Sequence, residues 1–172
     1  MHAPSSWLTA NAHLLPARGR ALDVACGGGR HAVWLAGASF DTLAVDKDAA
    51  AVDALDAYAT GQGLRLRAEV LDLEVPEASL GDARYDVIVV VHYLHRALFP
   101  ALTAALAEGG VLVYETFTRE QALRGKPTNP DFLLEPGELR RLVAPLEVLA
   151  YREGEFEGRV VASVVARKAT TR

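Results

Sequence analysis

Residues 20–29 read Arg20-Ala21-Leu22-Asp23-Val24-Ala25-Cys26-Gly27-Gly28-Gly29. A short apolar run that ends in glycines marks a buried strand stopping at a sharp turn. Glycines there let the backbone bend tightly and let a ligand approach without a Cβ in the way. Residues 30–36 continue as a helix closed by Gly37, so the stretch is a strand, a turn and a helix. The same alternation extends outward. Residues 40–46 form a second strand, and Asp48 caps a helix to about residue 60 that Gly61 and Gly63 end. Residues 64–71 form a third strand, and 72–83 are too short and irregular for a full helix, so that crossover is abbreviated. Residues 85–91 (YDVIVVV) are the most apolar and β-branched, as a central strand buried on both faces should be.

Residues 96–107 are expected to be helical with Gly109-Gly110 as their stop, and 111–117 to be a fifth strand. Residues 118–132 contain Gly125, Pro127, Asn129 and Pro130 and are expected to form a mobile loop of the length that lids and binding segments have. A helix over 136–143 with proline in its first turn precedes strands at 146–152 and 159–167. Their short link, 153–158, makes them a hairpin and therefore antiparallel. Upstream, 1–16 is a lead-in whose helix, 7–15, is capped by Ser5 or Ser6 and stopped by Pro16. The expected fold is α/β, a doubly wound, mostly parallel seven-stranded sheet with a terminal antiparallel hairpin, in one domain over 1–172.

Composition narrows the function classes. The net charge is −4 and the basic residues are scattered, so no basic face announces a nucleic-acid partner. No run approaches the roughly 20 apolar residues of a membrane span, and the first residues carry neither a basic leader nor an apolar segment. A cytoplasmic chain, monomeric or homodimeric, is expected. Cys26 is the only cysteine, which excludes an internal disulfide and a cysteine-rich zinc site; no metal is expected.

Three acids end consecutive strands: Asp23, Asp46 and Asp72. Asp23 is placed to orient the loop and meet an ammonium, directly or through water. Asp46 suits two ribose hydroxyls, and Asp72 the exocyclic amine of adenine. Each alone would read as a cap of the following helix or turn. Together on one rim they suit a cationic, phosphate-free adenosyl cofactor, as S-adenosylmethionine is. The rival is a dinucleotide, because Gly27-Gly28-Gly29-Arg30-His31-Ala32 formally matches G-x-G-x-x-G/A with Asp46 at a tolerable distance. Asp23 stands against it, since an apolar residue usually precedes that turn, as do Asp72 and the closing hairpin.

These residues carry a family likeness. The chain resembles the seven-stranded (class I) S-adenosylmethionine-dependent methyltransferases over almost its whole length. The likeness implies that Asp23, Ala25, Cys26, Gly27 and Gly29 form the glycine motif and that Asp46, with Lys47 beside it, holds the ribose. It further implies that Asp72 and Leu73 hold the adenine, with Val91 also at the donor. Ala25 replaces the usual first glycine, which fits if its φ stays negative. Nearest are the small bacterial tellurite-resistance-type methyltransferases, on residues 23–30 and the tail at 137–141 and 166–168. Those enzymes carry a His-Arg pair before the last strand. Here the segment 155–159 offers Arg159 without a histidine, so tellurite is not the expected substrate.

Acceptor residues follow the fourth strand. His92 and His95 are placed to take a proton, Tyr93 to wall the cavity and Arg96 to pair with an anionic acceptor. Arg30 would hold the donor carboxylate or an acidic acceptor, and Glu115 ends the fifth strand among apolar neighbours. No Asn/Asp-Pro-Pro-aromatic motif follows the fourth strand, and one cysteine is too few for arsenic chemistry of the known kind. A small-molecule acceptor is expected, with S-adenosylhomocysteine as the other product. The remaining alternatives are a non-catalytic donor-binding module and an NAD-binding oxidoreductase.

Overall fold

The computed structural model describes residues 1–171. Five strands come first: β1 (Gly19–Val24), β2 (Phe40–Asp46), β3 (Leu66–Val70), β4 (Tyr85–Val91) and β5 (Leu106–Phe117). The hairpin of β6 (Glu147–Phe156) and β7 (Arg159–Arg167) closes the chain. The sheet order is β3-β2-β1-β4-β5-β7-β6. Pairings are parallel from β3 to β5, and β7 is antiparallel to both β5 and β6. The helices are α1 (Ser6–Ala10), α2 (Arg30–Gly37), α3 (Ala49–Gln62), α4 (Phe99–Ala105) and α5 (Glu138–Leu142).

Strand alternation sends successive side chains to opposite faces. Ile88 and Val90 of β4 pack with Leu102 of α4 and Leu139 of α5 on one face. Val87, Val89 and Val91 pack with Trp7 and Leu8 of α1 and Leu35 of α2 on the other. Leu55 and Ala59 of α3 pack against Ala44, Leu66 and Ala32. Between β3 and β4 the crossover has no helix, and Leu73 and Leu80 plug the core in its place.

Several boundaries differ from expectation. The helix after β4 is a 3-10 turn, Arg96–Leu98, followed by α4, and β5 already begins at Leu106. Gly109-Gly110 lies inside β5, beside a register shift between Tyr85 and Val87, so the glycines serve a β-bulge rather than a helix stop. Pro136 precedes α5 and its Gly137 cap. There the Glu135 and Gly137 N–H groups donate to Glu138 and Glu153, and the helix starts at Glu138, two residues later than expected. The lead-in is α1 plus a 3-10 turn at Ala12–Leu14, with Ser5 as the cap. Among the described residues no helix is long and apolar enough to cross a membrane.

Candidate active site

Strand order runs outward in opposite directions from β1 and β4, and a crevice opens there beyond the strand ends, as open parallel sheets dictate. The crevice is a chain of three cavities. One of about 440 Å³ lies over the glycine turn, lined by Ala25, Cys26, Gly27, Gly28, Arg30 and Val91 among others. A small one of about 100 Å³ lies beside Ala25, Asp46, Leu71, Asp72 and Leu73. The largest, about 680 Å³, is reached past His92 and Tyr93.

Asp23 is buried at the end of β1, beneath the turn, and its Oδ2 accepts the Ala32 N–H at 2.9 Å. Burial raises its carboxyl from 3.8 to about 7, against the opposing pull of the Ala32 N–H and the Arg30 charge. A carboxylate so poor in compensation favours a cation nearby. Asp46 Oδ2 accepts the Gly27 N–H at 2.8 Å and its Oδ1 the Asp48 N–H at 2.9 Å, so it shapes the turn while lining the small cavity. Asp72, exposed, accepts the Glu74 N–H at 2.9 Å beside buried Leu73. Asp46 and Asp72 therefore share one cavity rim, while Asp23 lies buried beneath the turn and lines none of the three.

The turn has two kinds of glycine. A Cβ built at Gly27 or Gly28 meets nothing within 4 Å, so these residues leave the crevice floor open. A Cβ at Gly29 would stand 2.4 Å from Leu55, so Gly29 lets α2 pack on α3 and does not line the crevice, contrary to its expected role at a ligand. Ala25 has φ +52°, not the negative value expected, because the chain turns back there to bring the Cys26 N–H onto Val45 O at 2.9 Å. Cys26 is buried, and desolvation with the Asp23 and Asp46 charges pushes its thiol up to about 12, so it stays neutral and unreactive.

His92 joins the cavity over the glycine turn to the largest one. Its backbone is left-handed (φ +59°), pinned by its N–H on Glu115 O at 2.8 Å, and its ring stacks on Phe117 with centroids 4.5 Å apart. Burial, with Arg159 and Arg30 nearby, lowers its pKa to about 4 although Glu115 opposes the shift. It is therefore neutral near pH 7, and a weaker base than an ordinary imidazole. Tyr93 lines both neighbouring cavities, and its hydroxyl donates to Glu74 at 3.4 Å. Lys47 lines the same two.

Three expected residues have other tasks. Arg96 donates twice to Glu138 (2.7 and 2.9 Å) and to the carbonyls of Asp131 and Leu133, which ties the segment before α5 to β4. Its guanidinium lines none of the three cavities, so it is not placed to receive an acceptor. Glu115 is buried, accepting from Ser5, Ser163 and Arg152, and it fastens the lead-in to β6 and β7 instead of facing a ligand. His95 lines none of the cavities and makes no cap bond. Arg30 remains on the crevice, with Nη1 on Ala3 O at 2.9 Å.

Other contributors were not anticipated. His31 is buried and its Nε2 accepts the Ser5 N–H at 3.1 Å, which brings Met1 and His2 over the crevice. The largest cavity takes its outer wall from Lys126, Pro127, Thr128, Asn129 and Phe132. Only the run of breakers in 118–132 hinted at this. Buried Gln121 holds that segment in shape, donating to Lys126 O and accepting the Val160 N–H.

Residues 21–110 match the family described as Methyltransferase domain. No curated protein sequence matches this chain. Similar solved structures include an S-adenosylmethionine-dependent methyltransferase from Methanosarcina mazei, at 16% identity over 99% of this chain and 100% of that one, TM-score 0.78. Another from Mesorhizobium loti has 17% identity over 95% of this chain and 98% of that one, TM-score 0.75. TehB from Haemophilus influenzae has 20% identity over 94% of this chain and 61% of that one, TM-score 0.75. These likenesses share the fold of the chain.

Proposed function

The chain belongs to the methyltransferase domain family, with the class I fold, and from that premise we propose that it binds S-adenosylmethionine and methylates a small molecule. The observation that carries this reading is the crevice itself. An open glycine floor lies above a buried carboxylate and beside a mostly apolar slot rimmed by Asp46, Asp72 and Glu74. Those residues fit an amino acid, a sulfonium, a ribose and an adenine in that order.

Gly27, Gly28 and Arg30 receive the amino-acid end, with Arg30 toward its carboxylate and Asp23 beneath as the counter-charge to its ammonium. Asp46 accepts from the ribose hydroxyls with its remaining lone pairs. Leu71 and Leu73 sandwich the adenine edge, and Asp72 accepts from its amine. When bound, the cofactor supplies an electrophilic methyl on a positive sulfur. The chain's own work is alignment and exclusion of water, which are worth up to about 7–11 kcal/mol in favourable cases. His92 lies where the donor crevice meets the acceptor cavity, and as a neutral ring it takes a proton from an acceptor that must lose one. The 118–132 segment closes the cavity as its mobile wall. The protein acts in the cytoplasm, without metal, as a monomer or homodimer.

Titration calorimetry with S-adenosylhomocysteine and with NAD tests the donor. Saturable binding of the former alone is expected, and binding of NAD instead refutes the reading. Consumption of S-adenosylmethionine across a diverse acceptor library tests turnover, and a complete lack of it would leave a binding module.

A further inference from the structure

The largest cavity carries information about the acceptor that the donor crevice does not. Its wall is mostly apolar and ring-bearing, with Tyr93, Phe117 and Phe132 around His92. His92 and Phe117 already stack with their planes 23° apart, so the wall offers a flat face. Phe132 is 49% exposed, a large apolar surface left at the cavity mouth without cover from the chain. At about 680 Å³ the cavity lies in the range of sites that bury an organic molecule and is far larger than an inorganic oxyanion needs.

Its charge is equally specific. Lys47 and Lys126 line it against one carboxylate, Glu74, which already accepts from Tyr93. Among the described residues neither lysine forms a salt bridge. A locally positive cavity in a chain of net charge −4 selects for an anion. Flat aromatic walls with two unpaired ammonium groups match a planar ring bearing a carboxylate. The junction residue, His92, adds the demand for a group with a proton to give.

Resting on the donor reading above, we infer that the acceptor is a hydroxylated aromatic carboxylate. It lies between the rings, with its carboxylate toward Lys47 and Lys126 and its hydroxyl toward His92. The hydroxyl oxygen forms the new O–C bond with a lone pair while the S–C bond breaks and leaves its electron pair on sulfur. The hydroxyl proton leaves as the O–C bond forms, relayed through the neutral ring of His92, which does not retain it, to solvent. The products are an aryl methyl ether and S-adenosylhomocysteine, and no oxidant or metal enters.

The test is calorimetry on the full chain saturated with S-adenosylhomocysteine. The probes are the hydroxybenzoates, the hydroxycinnamates and the matching uncharged amides. The acids should bind at least tenfold tighter than their amides. In Lys126→Gln and in Lys47→Gln with Lys126→Gln that preference should fall, to less than twofold in the double variant. S-adenosylhomocysteine affinity, measured first, should stay within threefold in Lys126→Gln. His92→Asn, a residue that tolerates the left-handed backbone, should lower kcat at least tenfold and leave the Kd of the acids within threefold. Mass spectrometry should find a methyl ether. Equal binding of acids and amides, an unaltered preference in the double variant, or a methyl ester as product overturns the proposal alone. Failure of S-adenosylhomocysteine to bind the native chain overturns the donor reading and this inference with it.

Discussion

Asp23→Asn removes the charge that β1 buries beneath the glycine turn and keeps an oxygen to accept the Ala32 N–H. Burial raises the Asp23 carboxyl from 3.8 to about 7. Between those values the folded chain holds a proton that the unfolded chain has lost. Stability therefore falls as pH rises through that window and levels off above it. The whole loss is on the order of 4 kcal/mol, of which about 2–3 kcal/mol falls between pH 5 and pH 8. Asparagine does not titrate, so the variant should gain that amount on the native chain over the same interval. His31 and His92 titrate in both chains and cancel in the difference. Urea denaturation at both pH values measures it. Calorimetry at pH 8 should show S-adenosylhomocysteine binding at least tenfold weaker in the variant, through loss of a buried counter-charge. A stability difference that does not change with pH, or an unchanged affinity, would refute the reasoning.

The other substitutions probe the turn and the lead-in. Ala25→Gly relieves a left-handed alanine (φ +52°) and should stabilise the chain by roughly 0.5–1 kcal/mol in urea, without weakening S-adenosylhomocysteine binding. Gly29→Ala drives a Cβ to 2.4 Å from Leu55 and should cost about 2–4 kcal/mol in the same assay. Gly28→Val, with open space above it, should keep the fold within about 1 kcal/mol and weaken S-adenosylhomocysteine more than tenfold by filling the floor. Burial lowers the His31 pKa to about 3, so the unfolded chain takes up the proton first and stability is lost as pH falls below 6.5. His31→Gln, which still accepts from Ser5, should remove about 2 kcal/mol of that loss between pH 6.5 and pH 5, as unfolding midpoints will show.

Legibility in the sequence followed the range of the interactions. The strand Tyr85–Val91 was readable to the residue because burial on both faces leaves a β-branched run, and Phe40–Asp46 because turn and cap residues punctuate a mostly apolar stretch. The acids at strand ends were readable because a parallel sheet puts all its carboxyl ends on one edge. The partners of Arg96 and Glu115 were not legible because they lie far along the chain, at Glu138 and Ser163, where no local pattern betrays them. The largest cavity joins His92 to residues 126–132, a juxtaposition that only the packed loop creates. Gly29 reads in the sequence like its neighbours Gly27 and Gly28, which leave open space, and only Leu55 on α3 shows that it also serves packing.

A crystal structure with S-adenosylhomocysteine measures the central claim most directly. The account predicts the ribose hydroxyls within about 3 Å of the Asp46 carboxylate, the adenine beside Leu73, and the sulfur turned toward His92. A ligand lying elsewhere, or a crevice that stays empty after soaking at millimolar concentration, would contradict it.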